Sequence, residues 1–198
     1  MKNTKIYIVL IFSFFSISSI CFCQSQLSIK EIISNKSLQD SVKARMLIDI
    51  GFDLRRNYPD SSILIAEKAL PFINKNNPNL LIRQQSLLAR CYNNIGLGFM
   101  NSKNNAKAIE NFNLAIDYGT KSNDLIALKA SLFNIGTLFF LQGDYPKALE
   151  CYLKAVPYIE RSGIGENMAS LNMNIGMAYS RNGNFDKVEF LPLTGQKS

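Results

Sequence analysis

The chain has 198 residues, 22 Lys+Arg against 15 Asp+Glu and a formal charge of +7, and 47% of its residues are apolar, enough for one sizeable core or a short repeat array. It contains no His, which removes the commonest general base, the commonest metal ligand and any Ser-His-Asp or Cys-His catalytic arrangement. Six Pro and eleven Gly are too few for a collagen-like or Pro/Gly-rich disordered chain.

Met1 to Lys5 is a short basic head, and Ile6 to Phe22 is an apolar run followed by Cys23-Gln24-Ser25. This order predicts a secretory signal peptide over residues 1–23, with small Cys21 and Cys23 at the −3 and −1 places for cleavage. The expected location is therefore the periplasm or cell envelope of a bacterium. The run has 17 residues, short of the roughly 20 a membrane helix needs. An uncleaved anchor that tethers the protein to the membrane is the alternative. A lipid anchor is a minor one, because Ile20 and Phe22 precede the two Cys where a lipoprotein box wants Gly or Ala. Cleavage after Cys23 leaves 20 Lys+Arg against 15 Asp+Glu, and only Cys91 and Cys151. Two Cys make no disulfide framework, and both fall at apolar places in helical patterns, so buried thiols are expected.

Residues 24–39 are expected to be a linker or an N-terminal capping helix, with the helix between Ser28 and Leu38. From residue 40 the pattern becomes one of paired helices. The first unit, about 40–75, runs from Ala44 through Gly51 to Leu54 and turns at Asn57 to Ser62, with Asp60, Ser61 and Ser62 supplying N-cap chemistry. A second helix is predicted over Ile63–Ile73.

Beyond it a repeat is written in the sequence. Tyr92-Asn93-Asn94-Ile95-Gly96, Leu132-Phe133-Asn134-Ile135-Gly136 and Asn172-Met173-Asn174-Ile175-Gly176 stand forty residues apart. Three residues after each Gly comes an aromatic: Phe99, Phe139, Tyr179. Twelve after it stand Ala108, Ala148 and Val188; aromatics Phe112 and Tyr152 follow at sixteen, and Ala115 and Ala155 at nineteen. Turn signals lie between, at Asn104-Asn105, Gly143-Asp144 and Gly183-Asn184. Such spacing puts Ile95 and Phe99 on one helix face and leaves Gly96 without a Cβ, so a second helix can approach closely. An isolated helical Gly costs about 1 kcal/mol against Ala, so three in register imply a packing reason. The units are about 85–120, 125–160 and 165–190, the last incomplete, with an irregular tail at 191–198. A non-repetitive helical bundle is the rival architecture.

This pattern resembles the tetratricopeptide repeat family in a long-period form, like the units of kinesin light chains and of bacterial regulators. The signature places are filled by Tyr92, Ile95, Gly96, Phe99, Ala108, Phe112 and Ala115, and by Leu132, Ile135, Gly136, Phe139, Ala148, Tyr152 and Ala155. A third set has Ile175, Gly176, Tyr179 and Val188, with Asn172 at its first large place; Gly51 marks the looser first unit. The family's late Pro is absent, Thr120 and Glu160 standing there instead. The resemblance implies an all-α fold of antiparallel helix pairs stacked into a right-handed superhelix. It also implies a non-catalytic scaffold whose concave face binds a peptide or protein.

An Asn stands two before each repeat Gly, at Asn94, Asn134 and Asn174, with Asn93 beside the first. Such a row can hydrogen-bond a partner's backbone, each amide offering two donors and an acceptor. The competing use is a bond between repeats with no ligand. Helical register also puts Arg90, Thr137, Met177 and Arg181 near the inner face. Nothing points to an enzyme, a cofactor or a metal: there is no Gly-rich phosphate loop, no supported carboxylate pair and no paired Cys spacing. Lys is scattered, so no direct nucleic-acid face is expected. Leu191-Pro192-Leu193-Thr194-Gly195 matches a sortase signal, but only Gln196-Lys197-Ser198 follows it, so the match is read as coincidence. Pro192 and Gly195 also stand where the last helix wants an aromatic and a small residue, so a truncated or frame-shifted chain is expected. The resemblance to bacterial regulators then implies an alternative function, the truncated sensory front of a membrane-bound histidine kinase or transcription regulator.

Overall fold

The computed structural model describes residues 29–73, 82–162 and 165–184. The predicted leader, Val188, the second helix of the last unit, Pro192 and the tail at 191–198 lie outside the described residues. The chain divides into two units, residues 1–38 and 39–198. In the first, residues 29–34 are helical.

The second unit is built from α1 (Asp40–Leu54), α2 (Pro59–Ala69), a 3-10 turn (Leu70–Phe72), α3 (Ile82–Asn101), α4 (Asn105–Ser122), α5 (Leu125–Leu141), α6 (Tyr145–Ser162) and α7 (Gly165–Arg181). No strand occurs among the described residues. Helices α1, α3 and α5 each pair with the even-numbered helix that follows, and α1 also packs on α3, and α3 on α5. Among the described residues no helix is long and apolar enough to cross a membrane.

The pair-closing turns repeat as faithfully as the core. Lys103, Gly143 and Gly183, each seven after its repeat Gly, all have left-handed backbone, with φ of 61°, 81° and 78°. The next residue's N–H then reaches back over the helix end: Asn104 to Phe99 O at 2.8 Å, Asp144 to Phe139 O at 2.9 Å, Asn184 to Tyr179 O at 3.0 Å. Asn104 and Asp144 also cap the following helix, their side chains accepting from the Lys107 and Lys147 N–H groups. Lys107 and Lys147 lie over the Phe99 and Phe139 rings, at 5.2 and 5.4 Å from the centroids. Lys103 is the non-glycine among the three left-handed residues. Lys103→Gly relieves a Cβ clash of about 1–2 kcal/mol and loosens the unfolded chain by somewhat less. A gain of up to about 1 kcal/mol in chemical denaturation is expected.

Between paired helices the glycines do what the spacing predicts. A Cβ on Gly96 would lie 2.7 Å from the Phe112 ring, and one on Gly136 2.6 Å from the Tyr152 ring. Phe112 and Tyr152 are almost completely buried, and Ala108, Ala115, Ala148 and Ala155 fully so. Phe112 packs with Ala108 against Ile135 and Leu138 of the next pair; Tyr152 packs with Leu171, Ile175 and Ala178. The core is thus a run of interfaces between layers, each aromatic serving its own pair and the next.

Three local expectations are corrected. The second helix of the first unit spans Pro59–Ala69 rather than Ile63–Ile73. Pro59 fits the first helical position, where a missing N–H is harmless, and Pro71 cannot extend the α-helical ladder, so the end tightens into the 3-10 turn. Asp60, Ser61 and Ser62 do not cap that helix; Ser62 Oγ instead donates to Gly51 O at 2.7 Å, joining α2 to α1 in the interior. Cys91 is a buried free thiol as expected, but Cys151 is only half-buried.

Candidate partner-binding groove

The first helices of the pairs, α1, α3, α5 and α7, all contribute to a groove of about 610 Å3. Its floor follows the repeat. Residues six, three and two before the repeat Gly are Arg90, Asn93 and Asn94 on α3, and Ala130, Phe133 and Asn134 on α5; all six line it. Those offsets are i, i+3 and i+4, one stripe of a helix. Ile48 and Asp49 of α1 take the last two places in the first unit, and Ser170 takes the first place on α7. Phe52, Ile126 and Lys129 complete the walls with Ala127 and with Ile159 of α6.

The Asn row divides by use. Asn94 is 4% exposed, and its Nδ2 donates to Ile48 O at 2.8 Å, tying α3 to α1. Asn93 Oδ1 accepts from Ser131 Oγ at 3.1 Å, tying α3 to α5. Asn134 is half-buried in the groove, and its side chain has no hydrogen bond to another described residue. Asn174 is half-buried on α7 and is not part of the groove lining. Thr137 Oγ1 accepts from the Tyr152 hydroxyl at 3.3 Å and donates to Phe133 O, so it serves the α5–α6 pair. Met177 and Arg181 are exposed on α7 outside the lining.

Arg90 sits at the groove edge, and its Nε donates to Asp124 Oδ2 at 2.8 Å. Asp124 is buried at the start of α5, where it also accepts from Ser86 Oγ and from the Ile126 and Ala127 N–H groups. Burial works against its charge. The hydrogen bonds from Ser86, Arg90 and Ala127, with the nearby guanidinium charge, outweigh that and hold its carboxyl below the usual aspartate range. These bonds tie the start of α5 to α3, and both helices line the groove. Sequence reasoning passed over Asp49, Phe52, Ile126, Lys129, Phe133 and Ser170. Extending the Asn row by the helical offsets would have found Phe133, Asp49 and Ser170. Among the described residues no group of three or more metal-ligating side chains comes together.

The tetratricopeptide repeat family model matches residues 87–161, which is α3 almost from its start through α6. No curated protein matches the sequence. Two solved structures share the fold. Aspartyl phosphate phosphatase F from Bacillus subtilis has a TM-score of 0.72 at 19% identity, over 87% of this chain and 43% of that one. BtubC (BKLC) from P. vanneervenii has a TM-score of 0.68 at 15% identity, over 89% of this chain and 72% of that one. This chain therefore spans less than half the length of the phosphatase, 43%. Glycines forty residues apart and aromatic-filled layers accompany the family match, and residues 87–161, which match tetratricopeptide repeats, lie in a stacked array that is helical throughout the described residues.

Proposed function

We propose that the protein is a non-catalytic scaffold that holds a peptide or protein partner along the groove of its first helices. The observation that carries this is the half-buried Asn134 amide, without a hydrogen bond to another described residue and set between apolar walls. A peptide backbone supplies the donors and acceptors such an amide lacks. The absence of His and the family match support the non-catalytic reading. The test is affinity capture from an envelope fraction with the full chain and with Asn134→Ala and Asn174→Ala. Recovery of the captured partner is expected to fall several-fold, with helical circular dichroism unchanged. Undiminished recovery refutes the role of this row.

The leader pattern supports action outside the cytoplasm. Export removes about 2.5 kDa in our reading, 23 residues at an average of about 0.11 kDa each, which intact mass measurement reads directly. A second reading makes these repeats the sensory part of a longer membrane-bound regulator. It is supported by the same fold recurring in a protein of which this chain spans 43%. A downstream reading frame encoding an apolar span favours it; a clean terminator refutes it.

A further inference from the structure

The turns that close the helix pairs lie along one edge of the array. Asn101 Nδ2 donates to Arg55 O at 2.6 Å and Ser102 Oγ to Asp60 Oδ1 at 3.1 Å, so the first turn meets the second. Phe99 and Phe139 pack on one apolar layer, and Phe139 and Tyr179 on the next, which brings the ends of α3, α5 and α7 into line. This edge is basic. Arg55, Arg56, Lys103, Lys107, Lys147 and Arg181 stand on it, against Asp53, Asp60 and Asp144. Of these cations only Lys147 has an ion-pair partner among the described residues, Asp144 at 2.7 Å. Toward the opposite edge, Arg90 pairs with Asp124 at 2.8 Å and Lys121 with Asp117 at 2.6 Å. The basic edge also exposes apolar surface. Leu141, the last residue of α5, is 70% exposed, and Tyr58 on the first turn is 37% exposed. Beside Leu141, the Phe140 ring meets Tyr145 edge-on, with centroids 5.4 Å apart.

We propose that this edge rests on an anionic bilayer surface, with Leu141 and Tyr58 entering the headgroup layer and Arg56, Lys103 and Arg181 meeting lipid phosphates. Exposed Leu and aromatic side chains beside Lys and Arg are the composition of a surface that lies in a membrane interface. The cations are spread over four successive turns, and none of them lines the groove. Charge distributed in that way matches an extended sheet of anions better than a single carboxylate or phosphate. A nucleic acid offers the phosphates but no apolar layer for Leu141. The groove plays no part in this contact, so the two readings stand or fall separately.

The chain has no Trp, so one introduced Trp reports its own surroundings. In the full chain, Leu141→Trp carries the probe on this edge. Ile82→Trp, at a residue 68% exposed beside Asn123 and Asp124 on the far edge, carries the control. Vesicles of phosphatidylglycerol and phosphatidylethanolamine are expected to shift the Leu141→Trp emission to the blue. Vesicles of phosphatidylcholine alone should leave it unchanged, and neither lipid should move Ile82→Trp. The apolar run at residues 6–22 is common to both proteins, and binding through it alone leaves both probes in water. Adding Arg56→Gln and Lys103→Gly to Leu141→Trp removes two cations, and the lipid concentration at half-shift should then rise about thirtyfold. Because Lys103→Gly is expected to gain stability, that loss is not one of folding. A probe at 141 that stays in water with anionic vesicles, that shifts equally on phosphatidylcholine, or that shifts together with the one at 82 overturns the proposal. So does a half-shift unmoved by loss of the two cations. A blue shift with a DNA duplex or polyglutamate, and none with vesicles, gives the edge to that polyanion and overturns the lipid contact as well.

Discussion

Tyr152→Ala is expected to cost about 3–5 kcal/mol, the range for removing a fully buried aromatic. Tyr152 is 1% exposed, and its ring contacts Phe133 at 5.7 Å between centroids while its hydroxyl bonds to Thr137. More informative is its coupling to Gly136. In the native protein Gly136→Ala should destabilise by about 1–3 kcal/mol, because the new methyl meets the Tyr152 ring on one side and Ala148 O at 3.2 Å on the other. In the Tyr152→Ala background the ring is gone. There the only near neighbour left is Ala148 O at 3.2 Å, so the same substitution should lose most of its cost and, as that carbonyl gives by a few tenths of an ångström, gain up to about 1 kcal/mol from the helix preference of Ala over Gly. A change of sign in this double-mutant cycle, read by chemical denaturation, shows that the repeat glycine exists to admit the repeat aromatic. Equal effects in both backgrounds would refute that account. Gly96 and Phe112 form the equivalent pair one layer earlier, and the same reversal is expected there.

Those pairs were legible because their demands are local and periodic. A helix face needs small, large and small residues at set offsets, and the chain states the offsets two and three times over. The polar links were not legible. Asn94 and Asn134 hold the same place in their units, yet Asn94 bonds to Ile48 O while Asn134 has no such bond. The first two glycines, Gly51 and Gly96, are 45 residues apart and the next pair forty, so what stands opposite each Asn differs. The α3–α5 layer is bridged instead by Asn93 and Ser131. Ser62 reads as a cap beside Pro59 and is an interior bond to α1, because Pro59 itself starts the helix. Lys129 falls on the Ile126–Phe133 stripe, where a single charge in a scattered Lys pattern carries no local mark. Its meaning depends on the groove that four helices build around it.

Asp124 is the other large test, and it has a pH signature. Just ahead of an apolar run it carries an ordinary N-cap signal, but its links to Ser86 and Arg90, 38 and 34 residues back, tie two repeats together. Asp124→Ala removes a cap, about 1 kcal/mol, and leaves Ser86 and Arg90 without their acceptor. Arg90 is 48% exposed and can turn to water, so the total expected loss is about 2–4 kcal/mol. Asp124→Asn keeps shape and cap but not charge, and so isolates the ionic part. Folding lowers the pKa of this carboxyl, so the folded state binds its proton less tightly than the unfolded state. Its stabilisation is complete above the unfolded value of about 3.9 and is lost as pH falls through and below it. The native protein should therefore exceed Asp124→Asn in stability at pH 7, and the gap should close in acid. The surface carboxylates are common to both proteins and cancel in that difference. A gap that stays constant from pH 7 to pH 3 would mean that the charge of Asp124 does not hold α5 against α3.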